Sequence, residues 1–280
     1  MAHEFPGSDW GSWLPRAIAD ATPDGVGIWY LGCNGFVLKA GDGTTLFIDP
    51  YCGGGDPPRT VRMIPVPFDP DDIERCDAIL ATHEHSDHVH APTQAPILEH
   101  TGASYHAPDD SLAVVREEEW AAEHDIDDEQ FTEVGEGRTF TVGSFTVHVE
   151  GANDPDATHP VSYVIDHEAG TFFHGGDGRP GEQFERVGDR YDIDLGALAF
   201  GSSGYLPAKD GQGLAFKRWY SDENEIAEAA AQVGMDRLLP THWDVWKNLT
   251  ADPTAVRPHV RSFDAPRTLE LLEIGDRVAL

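Results

Sequence analysis

The feature that most constrains this chain is the segment ATHEHSDHVH at residues 81–90, which places four histidines, a glutamate and an aspartate in ten positions. The apolar run DAIL directly before it predicts a buried strand that ends at this histidine cluster. In such a loop His83 and His85 point to one side. Asp87 and His88 can reach a second point a few ångströms away. Imidazole and carboxylate groups bind divalent cations, and paired metals lie roughly 3.5–4 Å apart, so the segment predicts half of a dinuclear metal site.

The remaining ligands of this predicted site must come from the ends of other strands. Asp177, in FFHGGDG, can bridge two metals because the flanking glycines allow close backbone approach. His242, in LLPTHWD, is a second candidate at the end of a strand. Asp154 follows the predicted strand SFTVHVE, and His159 competes with it from five residues further on. These residues alone leave the choice between Asp154 and His159 open.

Short runs rich in β-branched and aromatic residues predict a sheet in the first part of the chain. GIWYLG, GFVLKA and TTLFID are separated by glycine-containing turns and form a predicted meander. Residues 1–24 before them are predicted to be an irregular arm. The Gly- and Pro-rich segment YCGGGDPPRTVRMIPVPFDPDD is predicted to be a long surface loop. Further strands are predicted at FTEV, RTFTV, SFTVHVE, DLGALAFG and RLLPTHWD.

Helices are predicted between and after these strands. One is predicted to cover SLAVVREEEWAAEH. In SDENEIAEAAAQVG, Asp222 can cap a helix together with Glu225, and Gly234 can end it. Because the chain shows no repeat and no linker, we expect a single sheet-rich α/β domain over residues 1–280, with its core at about 25–280.

Acidic side chains dominate the charge of this chain. Its 50 Asp and Glu residues against 19 Lys and Arg residues give a net charge of −31, and the acids are scattered rather than gathered in one tail. This composition resembles the surfaces of halophilic archaeal proteins, so we expect a protein that requires salt to screen its self-repulsion. No basic stripe is present to replace the counterions of phosphates, so no nucleic-acid partner is expected.

The cysteines and the apolar segments indicate the cellular compartment in which the protein is expected. Cys33, Cys52 and Cys76 are too few and too irregularly spaced for a disulfide framework, which fits a reducing cytoplasm. No signal-like start and no run of eighteen apolar residues is visible. We expect a soluble cytoplasmic protein with a small-molecule substrate and no membrane partner, and a homo-oligomer is left open.

The motifs above occur together in one known superfamily. THEHSDH matches the H-x-H-x-D-H signature of the metallo-β-lactamase superfamily, and IDP with Asp49, GGDG with Asp177 and THWD with His242 follow in the family's order. The chain therefore resembles this superfamily over about residues 25–250. The resemblance implies an αββα sandwich with two metals at one edge of the sheets. It also implies that Asp49 orients histidines of the cluster instead of binding metal.

Longer segments resemble one branch of that superfamily, the L-ascorbate-6-phosphate lactonases. These segments are EFPGSDWGSWLPRAI, WYLGCNGFVLKAGDGTTLFIDPYCGGG, DAILATHEHSDHVH and LLPTHWDVWKNLTADP. The resemblance implies a manganese-dependent hydrolase that opens a sugar-acid lactone by means of water activated at the metals. That branch commonly has an aspartate as its third ligand, which favours Asp154 over His159. Asp87 is then both a ligand and the catalytic residue that steers the water and passes its proton to the leaving alkoxide.

Some features leave alternatives open. The chain has GSSGYLPAKDGQG where the lactonases have an arginine-containing loop, so phosphate recognition would need Lys209, Lys217 or Arg218. The two divalent ions can be manganese or zinc, and iron also fits the ligand types. A metallo-phosphodiesterase or RNase of the same fold is one alternative function. A di-iron redox protein is another.

Overall fold

The computed structural model describes residues 5–201, 203–208 and 212–280. Its strands, in chain order, are β1 (Val26–Gly32), β2 (Gly35–Ala40), β3 (Thr45–Ile48), β4 (Ala78–Leu80), β5 (Ser104–Ala107), β6 (Phe131–Glu133), β7 (Thr139–Val142), β8 (Phe145–Gly151), β9 (Val161–His167), β10 (Gly170–His174), β11 (Leu195–Ala199), β12 (Gly204–Pro207), β13 (Leu214–Lys217), β14 (Arg237–Thr241), β15 (Thr268–Leu269) and β16 (Arg277–Ala279). Its helices are α1 (Trp13–Asp20), α2 (Ala91–Thr101), α3 (Asp109–Glu117), α4 (Trp120–Glu123), α5 (Glu182–Gly188), α6 (Glu223–Val233) and α7 (Arg257–Val260).

Most of the strands belong to two seven-stranded sheets. The first has the order β16-β1-β2-β3-β4-β5-β6 and the second the order β15-β14-β11-β10-β9-β8-β7, while β12 and β13 form a separate hairpin. The predicted meander β1-β2-β3 is antiparallel, whereas β3 to β6 run parallel. In the second sheet β10, β11 and β14 are also parallel. The loops after parallel strands leave from one edge of a sheet, so the two sheets bring several loops together there.

Alternating side chains give each sheet two packed faces. Between the sheets, Phe36 of β2 contacts Phe172 of β10 with ring centroids 5.6 Å apart. On the outer face of the first sheet, Trp29 belongs to a buried cluster with Leu98 of α2. On the outer face of the second sheet, Ile226 of α6 is fully buried. Helices, two sheets and helices thus form four layers, which is the predicted αββα arrangement.

Helix α6 shows how the local sequence sets an element's limits. The Asp222 carboxylate accepts hydrogen bonds from the backbone N–H groups of Asn224 and Glu225, and the Glu225 side chain accepts one from the Asp222 N–H. Such a cap contributes about 1 kcal/mol. Gly234 ends the helix with a φ of 71°, a conformation that glycine adopts without steric cost. The predicted cap and stop of this helix are confirmed.

Two predictions about helices were wrong. The arm is not irregular throughout, because Trp13–Asp20 forms α1, which buries Leu14 and Ile18 one helical turn apart against the first sheet. The helix predicted over SLAVVREEEWAAEH is broken into α3 and α4 at Glu119, which has a left-handed φ of 54°. The break allows Trp120 to pack, fully buried, beside Tyr105. Across the described ranges, the helices fall short of the length and apolarity needed to cross a membrane.

Candidate metal centre

The histidine cluster leaves β4 at the edge where the two sheets meet, and its first turn is held by Asp49. This buried carboxylate accepts hydrogen bonds from the Thr82 N–H at 2.9 Å and the Thr82 hydroxyl at 2.7 Å. It also accepts the Nδ1–H of His88 at 2.8 Å. The hydroxyl of Thr82 lies 2.9 Å from Nδ1 of His83, which can donate to it. Asp49 therefore holds the His88 ring directly and the His83 ring through the Thr82 hydroxyl.

Two groups of donors face each other across Asp177. We call His83, His85 and Asp154 the outer set, and Asp87, His88 and His242 the inner set. One carboxylate oxygen of Asp177 lies 3.9 Å from Nε2 of His83 and 3.4 Å from Nε2 of His88. Its other oxygen lies 3.5 Å from Nε2 of His242. The Asp177 carboxylate is thus placed between the two sets, where a bridging ligand belongs.

The outer set has the hydrogen-bond pattern of metal ligands. Nε2 of His85 is 3.1 Å from the carbonyl of Asp156 and can donate to it, just as Nδ1 of His83 donates to Thr82. The remaining nitrogens, Nε2 of His83 and Nδ1 of His85, are then both acceptors, yet they lie 2.9 Å apart. Oδ2 of Asp154 lies 3.6 Å from the first and 3.9 Å from the second. A cation among these three atoms satisfies all of them.

The inner set is more deeply buried. Nε2 of His242 lies 3.5 Å from Oδ2 of Asp87, and Nε2 of His88 lies 4.0 Å from the same oxygen. Nε2 of His88 is buried and has no hydrogen-bond partner among the described residues, and the same holds for Oδ2 of Asp154 in the outer set. Buried polar atoms without partners are costly and call for an explanation. Imidazole and carboxylate donors with unused lone pairs fit one divalent ion in the outer set and one in the inner set.

Electrostatic crowding shifts the pKa values of these groups. Burial lowers the pKa of His83, and the neighbouring His88 lowers it further, so this ring stays neutral and able to bind metal. Burial acts against the charged form of Asp177, but His242 and His88 outweigh it and hold the pKa of this carboxyl well below its usual range. Burial, followed by the charge of Asp177, raises the pKa of Asp154 to about 6. Two acids this close favour a cation between them.

The turn between β1 and β2 also contacts Asp177 and the inner set, through Asn34 and Cys33. Nδ2 of Asn34 donates to Oδ1 of Asp177 at 3.2 Å, while the hydroxyl of Thr241 donates to Oδ1 of Asn34 at 2.7 Å. The carbonyl of Cys33 accepts the N–H of His242 at 2.9 Å. Sequence reasoning did not assign Asn34 to the site. The available signal was the Asn-Gly pair in a hairpin next to the strand that leads to Asp49.

The structure separates the competing candidates at the third position. Asp154 lies in the outer set, whereas the side chain of His159 is 85% exposed and its Nδ1 pairs with Asp110 at 2.9 Å. His159 has a left-handed backbone, with a φ of 49°, and its side chain meets Asp110 of α3 instead of the cluster. Of the bases considered for phosphate binding, Arg218 bonds Asp222 and Glu225 at the start of α6. Lys209 lies outside the described residues.

A cavity of about 330 Å³ opens over the donor sets. Asp87, Asp154 and Asp177 form its acidic floor, and Trp219, Tyr220 and Trp246 form an aromatic wall. The Tyr220 ring stacks on the His242 ring at 4.2 Å, and Nε1 of Trp246 donates to the Tyr220 hydroxyl. Arg59 and Lys217 are the basic side chains at its rim, and the Arg59 guanidinium lies 5.5 Å from the centre of the Trp219 ring. The cavity therefore combines a carboxylate-rich floor with two basic side chains at its rim.

Residues 44–243 match the family described as the beta-lactamase superfamily domain. The chain belongs to this superfamily. Over an alignment of 296 positions it is 26% identical to the probable L-ascorbate-6-phosphate lactonase UlaG of Escherichia fergusonii, and the alignment covers 90% of this chain and 79% of that protein.

Solved structures confirm the predicted fold. The metallo hydrolase Igni18 of the archaeon Ignicoccus hospitalis superposes with a TM-score of 0.68 at 17% identity, covering 90% of this chain and 97% of that one. The metallo-β-lactamase fold protein YhfI of Bacillus subtilis superposes with a TM-score of 0.61 at 15% identity, covering 90% and 98%. Family, fold and relatives together support a metal-dependent hydrolase that uses divalent metal ions.

Proposed function

We propose that this protein is a lactonase that opens the cyclic ester of a small, anionic sugar acid. The observation that carries the proposal is the position of Asp177 between two donor sets, at the floor of a cavity whose rim bears Arg59 and Lys217. The similarity to lactonases over 90% of the chain supports the choice of a cyclic ester. The volume of about 330 Å³ supports a substrate the size of a sugar acid.

Each metal position has its own ligands in this proposal. His83, His85 and Asp154 would hold one divalent ion and Asp87, His88 and His242 would hold the other, and the Asp177 carboxylate lies within reach of both groups. Manganese, zinc and iron are all compatible with imidazole and carboxylate donors. When bound, the ions supply Lewis acidity and lower the pKa of water toward neutrality.

The protein's own side chains position the substrate and move the proton. The Asp87 carboxylate is 14% exposed and borders the cavity, so it can orient the attacking water. It then holds the proton released by that water and returns it to the alkoxide oxygen of the opened ring. Arg59 and Lys217 bind the anionic group of the substrate, and a phosphate or a carboxylate satisfies both. Tyr220 and Trp246 close the wall and exclude solvent water from the reacting ester.

The basic rim also supports a second candidate, a metallo-phosphodiesterase. Arg59 and Lys217 can hold a phosphodiester as well as a phosphorylated lactone. A long RNA substrate is disfavoured, because a net charge of −31 repels the phosphate backbone over most of the surface. A small phosphodiester is therefore the alternative that the same cavity accommodates.

A substrate panel tests the proposal. Full-length protein in molar KCl, loaded with Mn²⁺ or Zn²⁺, is given sugar lactones with and without a phosphate, acyl-homoserine lactones and small phosphodiesters. We expect hydrolysis of anionic sugar lactones, reduced on the order of 10²-fold or more in Asp87→Asn. The variant Lys247→Ala, which changes an exposed lysine, serves as the control. Turnover confined to phosphodiesters, or lactone turnover unchanged in Asp87→Asn, contradicts the proposal.

A further inference from the structure

Cys33 lies where the β1–β2 turn meets the inner set. Its thiol is fully buried, and Sγ is 3.5 Å from Nε2 of His242 and 3.8 Å from Oδ2 of Asp87. One donor atom from each of these three residues lies within 4.8 Å of the other two. Two ligands of one tetrahedral ion, with bonds of roughly 2.0–2.3 Å, lie roughly 3.3–3.8 Å apart, which matches the 3.5 Å and 3.8 Å contacts of Cys33.

We propose that the Cys33 thiolate is a ligand of the ion held by Asp87 and His242, so that the inner set is a mixed sulfur, oxygen and nitrogen site. This inference rests on the metal-dependent function proposed above. The thiol gives up its proton to solvent when the metal–sulfur bond forms. The outer set, which has only imidazole and carboxylate donors, remains without sulfur.

The backbone holds Cys33 in position for this role. Its carbonyl accepts the N–H of His242 at 2.9 Å and the hydroxyl of Tyr30 at 3.0 Å. The turn and the His242 loop are therefore fixed to each other. Cys33 and His242 both have left-handed φ values, 57° and 65°, which non-glycine residues adopt only when their surroundings enforce them. Their side chains meet, with Sγ of Cys33 3.5 Å from Nε2 of His242.

A separate observation indicates that a cation belongs beside His242. Nε2 of His88 is buried without a hydrogen-bond partner among the described residues, and it faces Asp177 at 3.4 Å and Asp87 at 4.0 Å. Its other nitrogen is already bonded to Asp49 at 2.8 Å. The lone pair of Nε2 is thus free to bind a metal that His242 and Asp177 also face, and His242 is shared with the group that contains Cys33.

The other two cysteines show what a purely structural thiol looks like in this protein. Sγ of Cys52 faces the carbonyl of Phe68 at 3.7 Å, and Sγ of Cys76 faces the carbonyl of Ala78 at 3.3 Å. Both can act as weak donors to backbone oxygens. Cys33 instead faces an imidazole and a carboxylate, which are themselves metal ligands in the proposed site. Cys52 and Cys76 are therefore matched controls.

A thiolate ligand changes the metal preference of the inner set. Sulfur is a soft donor that selects zinc and related ions, whereas manganese prefers oxygen donors. The inner set is expected to bind Zn²⁺ or Co²⁺ in preference to Mn²⁺. The outer set is expected to discriminate less between these ions.

Cobalt reconstitution tests the assignment without depending on activity. Full-length metal-free protein is titrated with two equivalents of Co²⁺, and the thiolate-to-cobalt charge-transfer absorption is recorded in the near ultraviolet. We expect this band in the unaltered protein, in Cys52→Ser and in Cys76→Ser, and its loss in Cys33→Ser. We also expect the Kd of the inner ion to rise by at least about tenfold in Cys33→Ser.

X-ray absorption of the unaltered zinc protein provides a test that needs no variant. One sulfur scatterer at about 2.3 Å is expected for every two zinc ions. Two bound cobalt ions without the charge-transfer band, or two zinc ions without sulfur, overturn the Cys33 assignment and leave the proposed function standing. Failure to bind either ion overturns the proposed function as well.

Discussion

The outer and inner sets of the metal centre share Asp177 but differ in exposure. In the outer set, the His85 side chain is 36% exposed and borders the cavity. In the inner set, His88 and His242 are fully buried, and the Tyr220 ring covers His242. The inner set is also tied to the β1–β2 turn, whereas the outer set depends on the loop after β8. We expect the outer ion to exchange with solvent readily and the inner ion to be retained.

The largest effect is expected when Asp177, the residue that both sets share, is removed. Asp177→Ala leaves each set without its common carboxylate, and turnover should fall by at least about 10³-fold. Bound metal, measured by elemental analysis after gel filtration, should fall below one ion per chain. The control Asp236→Ala removes a surface carboxylate paired with Arg267 and should retain both ions. Two ions retained in Asp177→Ala would show that this residue does not join the sets.

Single histidine variants separate the two sets. The unaltered protein should lose its ions to a chelator in a fast and a slow phase, with rates at least about tenfold apart, because the sets differ in burial. His85→Ala should keep only the slow phase and His242→Ala only the fast phase. The absorbance of a chelator dye that binds the released metal measures the rates of both phases. Identical phases in the two variants would mean that the sets are equivalent.

The next effect concerns the stability of the metal-free protein, in which Asp154 has a pKa of about 6 because it is buried beside Asp177. A carboxyl whose pKa is raised by folding contributes stability that is present below its unfolded pKa of about 4 and lost as the pH rises through 6. The loss from this group is about 3 kcal/mol at most. Urea unfolding of chelated protein between pH 4 and 7 should therefore show a steeper fall than in Asp154→Asn.

Asp244, whose pKa burial also raises to about 6, titrates in the same window in both proteins. Its contribution cancels in the comparison. If the free energy of unfolding depended equally on pH in the chelated unaltered protein and in Asp154→Asn, the placement of Asp154 in the outer set would be contradicted.

The smallest expected effect lies at the rim of the cavity. Arg59→Ala and Lys217→Ala should each raise KM by about tenfold, since each removes one charge-assisted contact to an anionic substrate. The kcat should change little, because among the described residues neither base forms a hydrogen bond or an ion pair with the proposed metal ligands. Steady-state kinetics with a phosphorylated and an unphosphorylated lactone measures both constants. An unchanged KM for both substrates would mean that the anionic group of the substrate binds in another part of the cavity.

The contiguous part of the site could be predicted from the sequence. His83, His85, Asp87 and His88 occur within six residues, so a strand that ends before them suffices to bring them together. The α6 cap was equally local. Asp177 and His242 could be proposed because each follows a recognisable strand, and parallel strands end at a common edge.

The parts that depend on the packing of the two sheets were not accessible from the sequence. The residues alone left the choice between Asp154 and His159 open, and only the resemblance to the lactonases favoured Asp154; the structure then pairs His159 with Asp110. Asn34 and Cys33 join the site only because the β1–β2 turn of the first sheet meets the loop after β14 of the second. Helix α1 was missed because Leu14 and Ile18 form only a short apolar face next to a proline.

In the proposed centre one carboxylate, that of Asp177, joins two metal ions, and anomalous X-ray scattering from crystals of the zinc- or manganese-loaded protein tests this most directly. We predict two anomalous peaks roughly 3.5–4 Å apart, one beside His83 and His85 and the other beside His88 and His242, with Asp177 between them. A single peak, or two peaks without Asp177 between them, would contradict the account.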